Sequence, residues 1–507
     1  MRTLFRRARS LVLRTFSITA LIGTSFAANA RAATTVVAAG ADLQAALNAA
    51  QPGDELVLQA GARFVGSFRL PAKAAGPVIT IRSSATLPDR RITPQDASLL
   101  PTLAPAVISA VLDGTGAANW RLDGIRFEPV LNGQGDVIVL QDSTNIYLDR
   151  ILMVGGVNGQ KRGIRGNGKQ ITLTRSYIAN IRASGQDSQA FCAWDGAGPY
   201  TIVNNYLEAT SENVLFGGAD SKSADRVPSD ILVEANYFNK RLEWKGAGVA
   251  VKNLFELKAA RRITIRRNLF EHNWTDGQAG FGILIKVVNQ NGTAPWSVTE
   301  DVLFEQNIIR NTENGFNLAG YDPSRPSGRA TRITIRNNVL STPGVAFQMG
   351  GEIGELAIDH NTIDQGYTLI SLFNGTVWPA GTATARPGAY SVERLTYTNN
   401  LARHNAYGVK GQATAIGTPS LIAFTLSRVW TNNVLAGGAG QPYPPITWLP
   451  SVAEYDSQFA SPYRLKPESP YSGAATDGRD VGVDWTQPIP SWSLQSPQSP
   501  GSVRVMK

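Results

Sequence analysis

The segments FELK at residues 255–258 and GILIK at residues 282–286 carry the charged side chains best spaced for chemistry in this 507-residue chain. Alternate residues of an extended strand face opposite sides. With Phe255 and Leu257 inward, Glu256 and Lys258 must project outward. With Ile283 and Ile285 buried, Lys286 is expected to be exposed beside Lys258. Asp195, in AFCAWDG, and Asp220, just beyond ENVLFGG, are expected on the same face one or two turns of the chain away. Such a mixed cluster suits an anionic sugar polymer. β-Elimination from a uronic acid needs the sugar carboxylate neutralised, a base for the C5 proton and an acid for the departing oxygen. A lysine becomes that base when burial or neighbouring positive charge lowers its pKa; Lys286 pushes Lys258 in that direction and Glu256 opposes it. Asp195, Asp220 and Glu256 also offer carboxylate pairs at the spacings used by glycoside hydrolases, since strands in one sheet lie about 4.8 Å apart. The residues leave both chemistries open.

These segments are brought together only if residues about thirty positions apart lie side by side, and a repeat supplies that. Asparagine recurs at Asn205, Asn236, Asn268, Asn307, Asn338, Asn361, Asn400 and Asn433, at gaps of 31, 32, 39, 31, 23, 39 and 33 residues. Each closes one short β-type run and opens the next, as in ITIRRNLF at 263–270 and ITIRNNVL at 333–340. Earlier copies, LDGIRF at 122–127, LDRIL at 148–152 and LTRSYI at 173–178, carry other residues at the bend, giving about eleven units. The pattern predicts an all-β solenoid, a right-handed parallel β-helix in which each coil stacks on its neighbours. Asparagine suits the bend because it tolerates the left-handed backbone region and because stacked amides hydrogen-bond from coil to coil. A β-sandwich would need hairpin turns every 8 to 12 residues, which the chain lacks.

Extra residues around Asn268, KRLEWKGAG at 240–248 and NWTDGQAG at 273–280, must leave the coil as loops that wall a groove. Trp244, Trp274, Trp296 and Gln278, in or near those loops, are candidates for holding sugar. His272, His360 and His404 sit beside bends on different coils and form no metal triad; His272, nearest the groove, is kept as a candidate acid or base. Neither chemistry requires a cofactor. A calcium ion could be held by Asp195, Asp220 and backbone oxygens, although no Asp-x-Asp-x-Asp loop is present.

The first 32 residues hold six arginines, no acidic residue, a short apolar stretch at 16–28 and a small-residue site at 30–32, the pattern of a secretory signal peptide. Without them the charge falls from +9 (48 basic, 39 acidic) to +3, so the apparent basicity is a targeting feature and no nucleic-acid partner is expected. No later stretch is apolar for long enough to span a bilayer. A secreted or periplasmic monomer is expected. The lone Cys192 reads as buried filler rather than nucleophile. One domain is expected at 33–440, with the segment ADLQAALNAA (41–50) as an N-terminal capping helix ahead of the first strands, and a cap or tail at 441–507 lying on the coil surface.

The opening at 41–71, the Asn-marked coils and the ending SPYRLKPESPYSGAATDGRDVGVD at 461–484 together resemble secreted right-handed β-helix proteins of the pectate-lyase-like superfamily. The opening is also similar to that of the alginate lyase and chondroitinase B group of polysaccharide lyases. The resemblance implies an acidic polysaccharide as substrate and a lysine base paired with an arginine acid on neighbouring coils. Lys258 is the nearest match to that lysine; the arginine's place is taken by Lys286. Glycoside hydrolases and non-catalytic adhesins share the coil, so hydrolysis and simple binding stay beside elimination as alternatives.

Overall fold

The computed structural model describes residues 32–486 except 157, 323 and 374–389, so the expected export signal, apart from its last residue, lies outside the described residues. The chain winds as a right-handed parallel β-helix with three long sheets, two of fourteen strands and one of twelve. One coil runs through Ala260–Arg266 in sheet A, Leu269–Asn273 in sheet B and Phe281–Lys286 in sheet C, then re-enters sheet A at Thr299–Glu305. Ile263 pairs with Val302 and Ile265 with Phe304 in register, so like stacks on like along a continuous apolar core. Among the described residues no helix is long and apolar enough to cross a membrane.

The fourteen strands of sheet A exceed the eleven units read from sequence. The three additional strands, Thr34–Val37, Glu55–Leu58 and Ile79–Ser83, lie at the N-terminal end, where the bends carry no asparagine. The helix Leu43–Ala49 follows the first of these strands rather than preceding them all. Asp42 caps it by accepting from the Ala45 amide at 2.9 Å, and Leu43 and Leu47 are buried on the core.

The bends themselves correct one expectation. The left-handed residue is the one before each marker, Asn204, Ala235, Arg267, Gln306, Asn337, His360, Asn399 and Asn432 (φ +51 to +57), while the marker asparagines stay outside that region. What the markers supply is the ladder. Each Nδ2 donates to the next Oδ1 at 2.9–3.1 Å, and the same Oδ1 accepts the backbone N–H of the preceding marker at 2.9–3.0 Å. Buried donors and acceptors are thereby satisfied without water.

Past Asn433 the chain adds the strand Thr447–Trp448 to sheet B and then crosses back over the bends. Thr476 N donates to Asn399 Oδ1, Val483 N to Thr362 Oγ1 and Asp484 N to Asn337 Oδ1. A polar cavity of about 260 Å³ between this strap and the coils is lined by Glu305, Arg336, Asp359, His360, Asp477, Arg479 and Asp484, among others. His360 bridges the two parts, 2.9 Å from Asp359 and 3.3 Å from Asp477. Burial alone would lower its pKa, but Asp359 and then Asp477 outweigh that and raise it. A raised folded pKa gives stability that is complete below the unfolded histidine value of about 6.5 and is lost as pH rises through the folded value. His360→Ala is therefore expected to lower the melting temperature more at pH 6 than at pH 9. Equal losses at both would exclude a charged clasp.

Candidate functional site

Sheet C forms the floor of the groove. Its strands Gln189–Ala193, Glu212–Phe216, Phe255–Leu257, Phe281–Lys286, Asn314–Ala319 and Val345–Gly350 lie side by side in that order, as the alternation required. Phe255, Leu257, Ile283 and Ile285 are fully buried in the core, and Glu256 is paired across the sheet with Leu215 and Leu284. Outward does not mean exposed, however. Glu256 is wholly shielded and the Lys286 side chain is only 6% exposed, against 13% for Lys258. The expectation of an exposed Lys286 thus fails on coverage, not on direction.

Glu256 sits between the two lysines. Its Oε1 lies 3.1 Å from Lys258 Nζ and 3.8 Å from Lys286 Nζ. The nearer contact is an ion pair, so charge holds the group together. Burial would raise the Glu256 carboxyl, but Lys258 and then Lys286 outweigh it and hold the pKa below the usual glutamate value. Burial likewise pulls both lysines down. For Lys258 the charges of Glu256 and Glu212 win and its pKa is raised; for Lys286 burial wins, and the ammonium pKa falls to about 8. Two lysines on adjacent coils are thereby pushed in opposite directions.

Glu212, Gln189, Lys252 and Asp187 complete the cluster and escaped the sequence reading. Gln189 Nε2 donates to Glu212 Oε2 at 2.7 Å, and Lys252 Nζ lies 3.9 Å from Glu212 and 2.5 Å from Asp187. Burial and the nearby Glu256 raise the Glu212 carboxyl to about 7. Alternation counted back from the core residue Val214 would turn Glu212 inward. At the corner between sheets B and C, though, two consecutive residues face the core, Leu254 with Phe255 and Ala190 with Phe191, which returns the residue before them to the outer face. Lys240 pins this corner. Its buried ammonium donates to the carbonyls of Ala209, Thr210 and Ser211 and to Asn213 Oδ1 at 2.8–3.0 Å, fixing the turn that carries Glu212.

Residues 240–254 and 274–280 connect sheet B to sheet C, and residues 217–228 and 287–298 connect sheet C to sheet A, so the four loops flank the two edges of this part of the floor. Trp244 and Trp274 do not offer sugar platforms. They are 2% and 6% exposed and pack around Val251, because two large apolar side chains on neighbouring loops bury more area against each other than against a groove. Trp296 stands half-buried on the opposite edge with its indole N–H on Ser221 Oγ at 3.0 Å. Gln278 is half-buried in the tight hairpin closed by Thr275 and Ala279.

The two aspartates are engaged elsewhere. Asp195 is gripped by Arg226 at 2.7 and 2.9 Å and lies 3.6 Å from Lys222; Asp220 accepts from Asn291 N, Thr293 N and Thr293 Oγ1 and so builds the 287–298 loop. Both carboxylates are thus committed to protein partners. Among the described residues no three His, Cys, Asp or Glu side chains gather into a metal site. His272 belongs to sheet B, with Nδ1 2.9 Å from Asn239 Oδ1 and its pKa lowered by burial. His404 packs edge-on against Tyr443. Cys192 is buried, and burial pushes its thiol up to about 11, unsuited to nucleophilic attack at neutral pH.

No protein-family profile and no curated protein sequence matches the chain. Solved structures do. One is the alginate lyase AlyGC of the PL6 family, in a mutant form, at TM-score 0.54 and 14% identity over 91% of this chain; the match spans 58% of the length of that protein. Another is a mannuronic-acid-specific polysaccharide family 6 lyase from human gut microbiota, at TM-score 0.50 and 13% identity over 82% of this chain and 89% of the other. The likeness is one of fold. At such identity it carries the coil and not the residues of the floor, whose reading rests on their own geometry.

Proposed function

We propose that this chain is an exported, monomeric lyase that cleaves an acidic polysaccharide by β-elimination on the floor of sheet C. The observation that carries the reading is Glu256 wedged between Lys258 and Lys286, which leaves one permanent cation beside one lysine that loses its proton near pH 8. The sequence had favoured Lys258 as base; the opposed shifts favour exchanging the roles. Lys258, held charged by Glu256 and the more exposed of the two, neutralises the uronate carboxylate and so acidifies C5–H. Neutral Lys286 takes that proton. The C–H electron pair becomes the C4=C5 double bond, the C4–O bond breaks, and the new Lys286 ammonium returns a proton to the departing oxygen on the same face.

Activity, followed as the ultraviolet absorbance of the unsaturated product, should climb with pH up to about 8 as Lys286 deprotonates. Lys286→Arg should abolish it, since an arginine cannot serve as base, whereas Lys258→Arg should keep a measurable fraction because the positive charge survives. Full activity in Lys286→Arg would dismiss the mechanism. Hydrolysis is the rival reading, favoured by Glu212 and Glu256 with carboxyl pKa values driven apart. Both are completely shielded, which weighs against direct contact with a glycosidic oxygen. New reducing ends without ultraviolet absorbance would select hydrolysis, and retention of polymer with neither product would select binding alone.

A further inference from the structure

Beyond the lysines, toward the C-terminal end of sheet C, the character of the floor changes. Strand register continues the outward row of Glu256 through Leu284 to Asn317, Gln348, Ser371 and Lys410 on four successive coils. Elsewhere on the coil surface polar side chains are consumed by one another, as in Arg266 with Glu234, Arg332 with Asp301 and Arg336 with Glu305. Here they are not. Asn317, Gln348 and Ser371 are half-exposed, and none of the three side chains hydrogen-bonds to another described residue; Asn317 Oδ1 is shielded and without a partner. An amide oxygen left so is costly unless something else donates to it.

An apolar element runs beside this row. Phe373 is half-buried against Gly350, where an added Cβ would come within 2.2 Å of the ring, so the absence of a side chain at 350 is what lets the aromatic ring lie down on the floor. In the opposite direction from Glu256 the same row offers no such surface. Leu215 and Cys192 are 6% and 1% exposed, and Arg165, next in the row, is engaged by Asp136 at 3.3 Å. On one side of the lysines the floor therefore offers uncommitted amides and a hydroxyl; on the other it is interrupted by two shielded coils and then by an arginine already paired with a carboxylate.

Coils repeat at about 4.8 Å, a step comparable to one pyranose ring with its linking oxygen. We propose that Asn317, Gln348, Ser371 and Lys410, with Phe373, form a one-sided track holding successive units of a linear uronic-acid polymer, so that the chain extends from the lysines toward the C-terminal end only. The amides and the hydroxyl meet ring hydroxyls, Phe373 underlies a ring face, and the Lys410 ammonium meets a carboxylate at the far end. This rests on the groove assignment above but not on its chemistry.

The test uses the full chain carrying Lys258→Met, titrated calorimetrically with dimers and hexamers of galacturonate and of mannuronate. The hexamer of at least one series is expected to bind roughly tenfold or more tightly than its dimer, because only the hexamer reaches Gln348 and beyond. Gln348→Ala combined with Ser371→Ala should remove that advantage and leave the dimer unaffected. Gln348→Glu, which keeps the size of the side chain but repels the polymer, should weaken the hexamer further. Lys410→Met should lower hexamer affinity and flatten its dependence on salt. Equal affinities for dimer and hexamer, hexamer binding indifferent to Gln348, or no binding of either oligomer would overturn the track. Hexamer binding that depends on Gln348, with no unsaturated product from the chain that keeps Lys258, would keep the track and remove the lyase; product formation by that chain with Gln348-independent hexamer binding would do the reverse.

Discussion

Glu256→Gln is expected to lower the unfolding free energy by about 3–5 kcal/mol and to shift the rising limb of the pH–activity curve toward acid. The stability loss is that of a buried pair broken on one side, since the two ammonium groups remain in place with their common counter-charge gone. The pH shift follows from the same removal. Burial sets Lys286 at about 8 against the opposing pull of Glu256, so without that carboxylate its pKa drops further and the neutral base is present at lower pH. Linkage fixes the sign for stability. A lysine whose folded pKa lies below its unfolded value, about 10.4, binds more protons when unfolded, so the variant gains stability as pH rises between the two values. Chemical denaturation at pH 7 and pH 10 checks this, with a smaller deficit expected at pH 10. A deficit that is the same at both would mean that Lys286 is not the group responding.

Asn307→Leu should be comparably damaging for a different reason, with about 3–6 kcal/mol lost in urea unfolding. The Asn307 amide accepts from Asn268 N and Asn268 Nδ2 at 2.9 and 3.0 Å, and donates to Ile265 O at 2.9 Å and Asn338 Oδ1 at 3.1 Å, all of them buried. Leucine fits the space but offers none of these, leaving the Asn268 backbone N–H without its acceptor and removing the Asn307 donor from Ile265 O, each at roughly 1–3 kcal/mol. Asn307→Asp retains the acceptor yet places a charge with no cation beside it, so it should rescue little. A loss near 1 kcal/mol in the leucine variant would show that water can enter the ladder and replace the side chain.

The coil was legible because its two causes are local and periodic. The apolar alternation of ITIR and the recurring asparagine each repeat within the chain, so the strands of sheet C and the outward direction of Glu256, Lys258 and Lys286 could be read in advance. Three things could not. Alternation breaks at the corner between sheets B and C, which hid Glu212, because a corner is set by how two sheets meet and not by the strand itself. Exposure of Lys286 and the packing of Trp244 on Trp274 depend on where loops come to rest, and nothing periodic governs that. The left-handed residue at each bend was assigned one position late, since Arg267 and His360 carry no sequence signature for that conformation, whereas the adjacent asparagine does.

The coil running through Val339–Thr342, Val345–Gly350 and Ile353–Asp359 occupies the shortest interval of the ladder, the 23 residues from Asn338 to Asn361, and it holds Gln348 but none of the groups around Glu256. Since within the sheets every coil pairs only with the one above and the one below, excising this interval, with the C-terminal strap shortened to match, would let Asn338 stack directly on Asn400 and would shorten the floor by a single rung. On the proposed track the number of coils would act as a ruler, gauging how many sugars the protein can grasp at once while leaving untouched the place proposed for the reaction.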